Sequence, residues 1–396
     1  MLEHVRLSPE VAAMAEELVA IRRDLHAHPE LGYEERRTAG IVATRLRELG
    51  IEVQEGVAET GVIGLLRGAR PGPTVLLRAD MDALPIQEAS EVPYRSQTPG
   101  VMHACGHDGH TAILLGTARV LAAQRERLPG VVKFVFQPAE EGGAGADRMI
   151  AAGALEGPAV DAAFGLHLWN HGPIGAIGVR EGPMMACSDA FDLTVKGQGG
   201  HAAAPHRAID PVVIAAHLIV ALQTLVSRET DPLQSAVVTV GRVQGGDVRN
   251  VIPDQVLLQG TVRTFDAGLR QALPQRLERI ARGVTEAFGG QYDLSYRLGY
   301  PCLVNDAAMA EVVRAAACPI VGEEHVVVAP PVMGAEDMSY FLQRVPGCFF
   351  RVGSANAERG LTRPHHNPCF DFDEAALPIG VEVLAGAARR FLEESA

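Results

Sequence analysis

Aromatic residues make up only 5% of the 396-residue chain, with a single tryptophan, and lysine occurs just twice, at Lys133 and Lys196. Lys+Arg number 35 against Asp+Glu 48, a formal net charge of −13, so the basic surface that nucleic acid or an anionic membrane recruits is not expected. No apolar stretch is long enough to cross a bilayer: the longest, residues 211–226, is interrupted by His217 and Gln223. The first thirty residues mix acids, bases and polar groups and contain no apolar region of signal-peptide type. Six cysteines, Cys105, Cys187, Cys302, Cys318, Cys348 and Cys369, follow no framework spacing. A chain this long needs no disulfides to fold, so a reducing cytoplasm is the expected compartment. Internal repeats, low-complexity tracts, phosphate-loop and dinucleotide fingerprints and the HExxH zinc-protease signature are also missing. What remains is an ordinary globular composition, 47% hydrophobic and 21% charged, with length for two or three domains.

Hydrophobic periodicity divides the chain into two kinds of segment. Residues 9–27 and 34–49 carry helical spacing, the second stopping at Gly50. Short, nearly continuous apolar runs follow at 61–66, 74–79, 131–137 and 162–168, as strands buried on both faces of a mostly parallel sheet would read. Residues 111–124 read as a crossover helix between them. The alternation resumes at the C-terminal end with a helix over 306–318, a strand over 347–352 and a helix over 374–393. The middle differs. Its strands at 190–196, 235–243, 255–265 and 291–298 alternate polar with apolar residues, and helices are expected over 211–226 and 268–288. That β-α-β-β-α-β order is the split, ferredoxin-like pattern, with one sheet face left exposed. The expected architecture is therefore α/β: a mostly parallel-sheet domain, residues 1–185 plus 299–396, with a ferredoxin-like domain, residues 186–298, inserted in it. An exposed sheet face or edge invites a partner.

Chemistry-bearing residues collect at the strand ends of the larger domain. The segment Met102-His103-Ala104-Cys105-Gly106-His107-Asp108-Gly109-His110 places a thiol and three imidazoles in a loop just before a helix. Thiolate and imidazole are preferred ligands of zinc and similar divalent ions, and the glycines permit the tight backbone that lets them converge. After a buried strand, Gln137-Pro138-Ala139-Glu140-Glu141-Gly142-Gly143 offers adjacent carboxylates that point apart, one toward a metal and the other toward substrate as a general base. His167 stands at the exit of an apolar strand, His365-His366 lie in a C-terminal loop, and Asp80 and Asp82 follow another strand, where carboxylates orient ligand histidines. Read singly, each has a plainer meaning: a polar loop, a solvated acidic turn, a structural histidine. Their shared position, at strand ends and loops of one α/β domain, is where such folds gather ligands.

The ordered motifs RRDLHAHPELGYEE, RADMDALPI, HACGHDGHT, FQPAEEGGAGA, GLHLW, GQGGHAAAPH, NVIPD and HHNPCFDFDE resemble, over essentially the whole chain, the amidohydrolase branch of the aminoacylase/carboxypeptidase metallopeptidases. That branch includes hippurate hydrolases, N-acyl-amino-acid amidohydrolases and auxin-conjugate hydrolases. The resemblance implies two divalent metal ions per chain, Zn or Mn with Co or Ni tolerated, held by Cys105, His107, Glu141, His167 and His366. It implies Glu140 as the general base and Asp82 as the acid supporting the metal site. The inserted domain becomes a lid and dimerisation domain, giving a homodimer or a tetramer. In it His201 reaches the substrate carbonyl, commonly across the subunit boundary, while Asn250 and Arg263 hold the substrate carboxylate. His103, His110 and His365 are left with supporting roles.

The implied reaction is hydrolysis of the amide joining an acyl group to an amino acid. Glu140 takes a proton from water and delivers it to the leaving amine. Two alternatives stand beside it: a dipeptidase or carboxypeptidase on the same scaffold, and a silent metal-dependent binding protein. The paired Glu140-Glu141 argues against the binder, which has no use for a base beside its ligands.

Overall fold

The computed structural model describes residues 4–395, and the chain divides into two compact units. The first comprises Met1–Gly182, Val304–Pro330 and Asp337–Ala396, and the second Pro183–Leu303 and Pro331–Glu336.

The first unit is built on an eight-stranded sheet in the order Glu52–Val57, Gly61–Arg67, Pro129–Gln137, Arg70–Asp80, Ala162–Pro173, Gly347–Ala355, Ile177–Val179, Val326–Val328. The central four, from Pro129–Gln137 to Gly347–Ala355, run parallel. Their Val, Leu and Phe side chains are buried on both faces, as the unbroken apolar runs require. Gly61–Arg67 has the same apolar character, yet it pairs antiparallel with both neighbours, so burial and strand direction part company there. Glu52–Val57 carries no apolar signal because it is a charged, largely exposed edge strand. Helix Ala376–Glu394 packs against His107–Ala123 and Ala307–Val321 and against the sheet. The helix expected over 9–27 is broken at Met14 into Pro9–Ala13, capped by the Ser8 hydroxyl, and Ala15–Ala27.

The second unit carries a four-stranded antiparallel sheet in the order Ala236–Gln244, Gln255–Thr264, Ser188–Lys196, Gln291–Tyr300. With helices Pro211–Leu222 and Ala267–Ala287 between strands, this is the ferredoxin-like arrangement. Phe191, Leu193 and Val195 are buried with Ile214, Leu218, Leu273 and Leu277 in its core. The intervening positions of Ser188–Lys196 stay half-buried, which is the alternation the sequence displays.

Candidate metal centre

Parallel strands deliver the site. Arg70–Asp80 ends where Asp80 and Asp82 begin their loop, Pro129–Gln137 ends three residues before Glu140, and Ala162–Pro173 carries His167. Gly106, at φ 94°, adopts the left-handed backbone that turns the Cys105 loop into helix His107–Ala123, so His107 opens that helix. His366, at φ 65°, is held by its own N–H donating to the Ala104 carbonyl at 2.7 Å. Five sets of potential ligand atoms, each within 4.8 Å, occur among the described residues; three of them, Cys105–His107–His167, Cys105–Glu141–His366 and His107–Glu140–Glu141, join the sequence candidates, and the others are Asp80–His107–His110 and Glu140–Glu336–Asp337.

The surrounding hydrogen bonds aim these atoms inward. His107 Nδ1 lies 2.9 Å from the Asp82 carbonyl and 3.1 Å from Asp82 Oδ1, which leaves Nε2 for the centre. Buried Nε2 makes no hydrogen bond among the described residues, with Asp80 Oδ2 3.7 Å away, and a cation would satisfy it. His167 Nδ1 donates to the Leu168 carbonyl at 2.6 Å, turning its Nε2 to within 3.5 Å of Cys105 Sγ. His366 Nε2 is 3.1 Å from Glu141 Oε1, whose backbone N–H donates to Asp82 Oδ2 at 2.9 Å. Asp82 thus grips both a histidine and the carboxylate loop.

Charge also converges here. Burial, and then the Glu141 carboxylate, push the Cys105 thiol well above its ordinary range, so its thiolate requires a cation close by. Burial alone would lower His107, but Asp80 and Cys105 outweigh it and raise it well above the usual imidazole value. The hydrogen bond that the His366 ring donates to the Glu141 carboxylate raises the His366 pKa. A buried thiol, carboxylates and inward-facing imidazoles fit a divalent transition metal or zinc. Cys105→Ser is expected to weaken the binding of at least one metal by about tenfold or more, because a neutral hydroxyl is the poorer ligand. Metal titration of the variant measures this, and unchanged stoichiometry and affinity would remove Cys105 from the centre.

The other sequence candidates fall as follows. His110 Nδ1 bonds Asp80 at 2.6 Å and its Nε2 accepts from Leu168 N–H at 2.9 Å, bracing the backbone beside His167. His365 Nε2 meets the Leu168 carbonyl at 2.9 Å. His103 is buried without a hydrogen-bond partner among the described residues, and burial pushes its pKa down to about 4. His201, Asn250 and Arg263 belong to the second unit. There strand Gly200–His201 pairs antiparallel with Val251–Ile252, and the Ala202 N–H donates to the Asn250 carbonyl at 3.1 Å, so His201 and Asn250 stand at neighbouring positions of one short ladder; Arg263 is on strand Gln255–Thr264. Asp337 escaped the sequence reading. Fully buried, it accepts from Arg78, Gln137 and the Ala146 N–H at 2.8–3.0 Å, clamping the ends of two central strands. A charged Glu-Asp pair in the otherwise plain segment 334–340 was the available signal.

Fold and donor set together define a hydrolase with a metal-binding centre, and the comparisons specify which kind. Residues 76–390 match the peptidase family M20/M25/M40, and the chain belongs to that family, in its amidohydrolase branch. It is 41% identical over 385 residues to an N-acetyl-L-cysteine deacetylase of Bacillus subtilis (strain 168), covering 97% of this chain and 90% of that one. It is 40% identical over 390 residues to thermostable carboxypeptidase 2 of Saccharolobus solfataricus, covering 98% of each. Among solved structures, the Bacillus subtilis YXEP protein, described as a dinuclear metal-binding peptidase of the M20 family, superposes with a TM-score of 0.85 at 38% identity, covering 96% of this chain and 99% of that chain.

Proposed function

We propose that this chain is a dinuclear metal-dependent amidohydrolase that cleaves N-acyl amino acids to a carboxylic acid and a free amino acid. The observation that supports the reading is that Cys105, His107, Glu141, His167 and His366 fall into sets of potential ligand atoms linked through Cys105, His107 and Glu141, with Glu140 sharing one of them. In this reading the first unit is the catalytic domain and the second the lid and dimerisation domain of a cytoplasmic homodimer, with a tetramer as the alternative assembly. Zn or Mn would serve, with Co or Ni as substitutes, since all accept this mixture of S, N and O ligands.

Divalent ions at such a centre supply Lewis acidity, which favours ionisation of water near neutral pH and polarises an acyl carbonyl. The chain's own residues do the rest. Glu140 accepts the proton of the attacking water as the C–O bond forms, then passes it to the nitrogen as the C–N bond breaks. The Glu140 side chain is buried, which keeps bulk water from competing for that proton. In the second unit, the Ala203 N–H donates to His201 Nδ1 at 3.0 Å. The neutral ring must then carry its proton on Nε2, an exposed donor suited to the developing oxyanion. Asn250, and Arg263 with its half-buried guanidinium, would take the substrate carboxylate.

Amine release from N-acetyl, N-benzoyl and long-chain N-acyl amino acids, run beside dipeptides on metal-loaded protein, tests the reading. Release from the acyl compounds alone is expected. Release from dipeptides alone would favour a dipeptidase or carboxypeptidase, the reading that the 40% identical carboxypeptidase keeps open. If His201 serves the neighbouring subunit, mixing inactive His201→Ala and Glu140→Ala chains in equal amounts should restore about a quarter of wild-type activity to the fully exchanged mixture, because half the dimers are mixed and each of these has one intact site of two. Subunit exchange with no activity regained would place His201 in its own chain's site or outside catalysis.

A further inference from the structure

The segment Glu30-Leu31-Gly32-Tyr33-Glu34-Glu35 holds no metal-ligand candidate, yet it packs on the turn that presents Glu140. Three alternate residues of that turn are each fixed. Ala139 donates its N–H to Glu35 Oε1 at 2.8 Å, Glu141 donates its N–H to Asp82 Oδ2 at 2.9 Å, and the Gly143 carbonyl accepts from the Tyr33 hydroxyl at 2.6 Å. Ala139 has φ 52°, a left-handed conformation that a residue with a Cβ adopts only where its surroundings impose it. Gly32 lies directly against it: a Cβ there would come within 2.9 Å of the Ala139 Cβ. Glu35 itself is fully buried, and its second carboxylate oxygen accepts the Thr60 hydroxyl at 2.5 Å. Burial pushes the Glu35 carboxyl up to about 7, so its environment tolerates the neutral form.

We propose that Glu35 is a positioning residue for the hydrolysis: through the Ala139 N–H it locks the left-handed turn that sets the Glu140 carboxylate over the metal centre. Glu35 touches neither substrate nor metal and acts only through that turn. The inference rests on Glu140 being the general base.

Glu35→Ala removes the acceptor and is expected to lower kcat by about 10–100-fold, the scale of a misplaced catalytic group, with KM within about twofold and bound metal unchanged. Glu35→Gln keeps an oxygen for the Ala139 N–H and an amide for Thr60, and should return kcat to within about threefold of wild type. If Glu35→Ala fails to fold, Tyr33→Phe reads the other end of the turn, with kcat about 3–10-fold down at constant KM. On a Glu140→Ala background Glu35→Ala should cost nothing more, since positioning an absent base has no effect. A Glu35→Ala enzyme of near wild-type kcat, when Glu140→Ala is dead, would overturn the positioning role alone. So would an equal further loss on the Glu140→Ala background, or a loss that tracks departing metal. A fully active Glu140→Ala enzyme would overturn the base assignment and the positioning role with it.

Discussion

Replacing Glu140 by alanine is expected to lower turnover by about 10²–10⁴-fold, the usual worth of a positioned general acid–base group, while the protein keeps its metal. In the proposed mechanism the adjacent carboxylates have different roles, Glu141 as ligand and Glu140 as base. Glu141 shares a ligand set with Cys105 and His366, whereas none of the sets that contain Glu140 includes Cys105, His167 or His366. Removing Glu140 therefore leaves Cys105, His107, Glu141, His167 and His366 in place, and Asp82 still holds the Glu141 backbone at 2.9 Å. Turnover and metal content measured on one preparation separate the roles. Lost metal would reverse the assignments of the pair, and turnover within tenfold of wild type would exclude Glu140 as the base.

Arg22→Ala should destabilise the first unit by about 3–5 kcal/mol, because it strands buried carboxylates without their cation. The Arg22 side chain is wholly buried and lies 2.8 Å from Asp108, 2.8 Å from Asp371 and 3.2 Å from Glu374. Its guanidinium also sits 4.3 Å above the Phe372 ring. His26 Nδ1 joins the cluster 2.8 Å from Asp108. The motifs around Arg22 and Asp371 are thereby tied to Asp108, the neighbour of His107, and their place in the chain gains a physical reason. Burial would raise the Asp108 carboxyl, but Arg22 and His26 outweigh it and hold it far below the ordinary range. A carboxylate depressed in the folded state contributes stability that is present above its unfolded pKa, about 4, and lost as pH falls through the folded value. The stability gap between wild type and Arg22→Ala should therefore be full at pH 7 and shrink below about pH 4. Denaturant unfolding across that range measures it, and a gap of less than about 1 kcal/mol at pH 7 would show that the cluster is not the clamp described here.

What was legible in the sequence was whatever leaves a local mark. Continuous Val, Leu and Phe runs marked the central parallel strands, and period-two alternation marked Ser188–Lys196 and its partners. Cys105, His107, Glu140, Glu141 and His167 stood out as candidates because thiol, imidazole and carboxylate side chains collect in the loops and at the strand ends of one α/β domain, and the structure brings them into shared sets of potential ligand atoms. The direction of Gly61–Arg67 left no mark, since an antiparallel strand buried on both faces reads like a parallel one. Glu52–Val57 was invisible because an exposed edge strand needs charge and not hydrophobicity. Residues that act across long sequence separations were the hardest to see. Glu35 reaches Ala139 over 104 positions and Arg78 reaches Asp337 over 259. A Glu-Glu pair before a helix looks like a solvated helix start until Ala139 is seen to need an acceptor.

Turnover of an N-acyl amino acid, followed while metal-free protein is titrated with Mn²⁺ or Zn²⁺, tests the central claim most directly. The account predicts no turnover without metal and a rise that breaks at two equivalents per chain. Full activity in the presence of chelator, or a plateau at one equivalent, would contradict it.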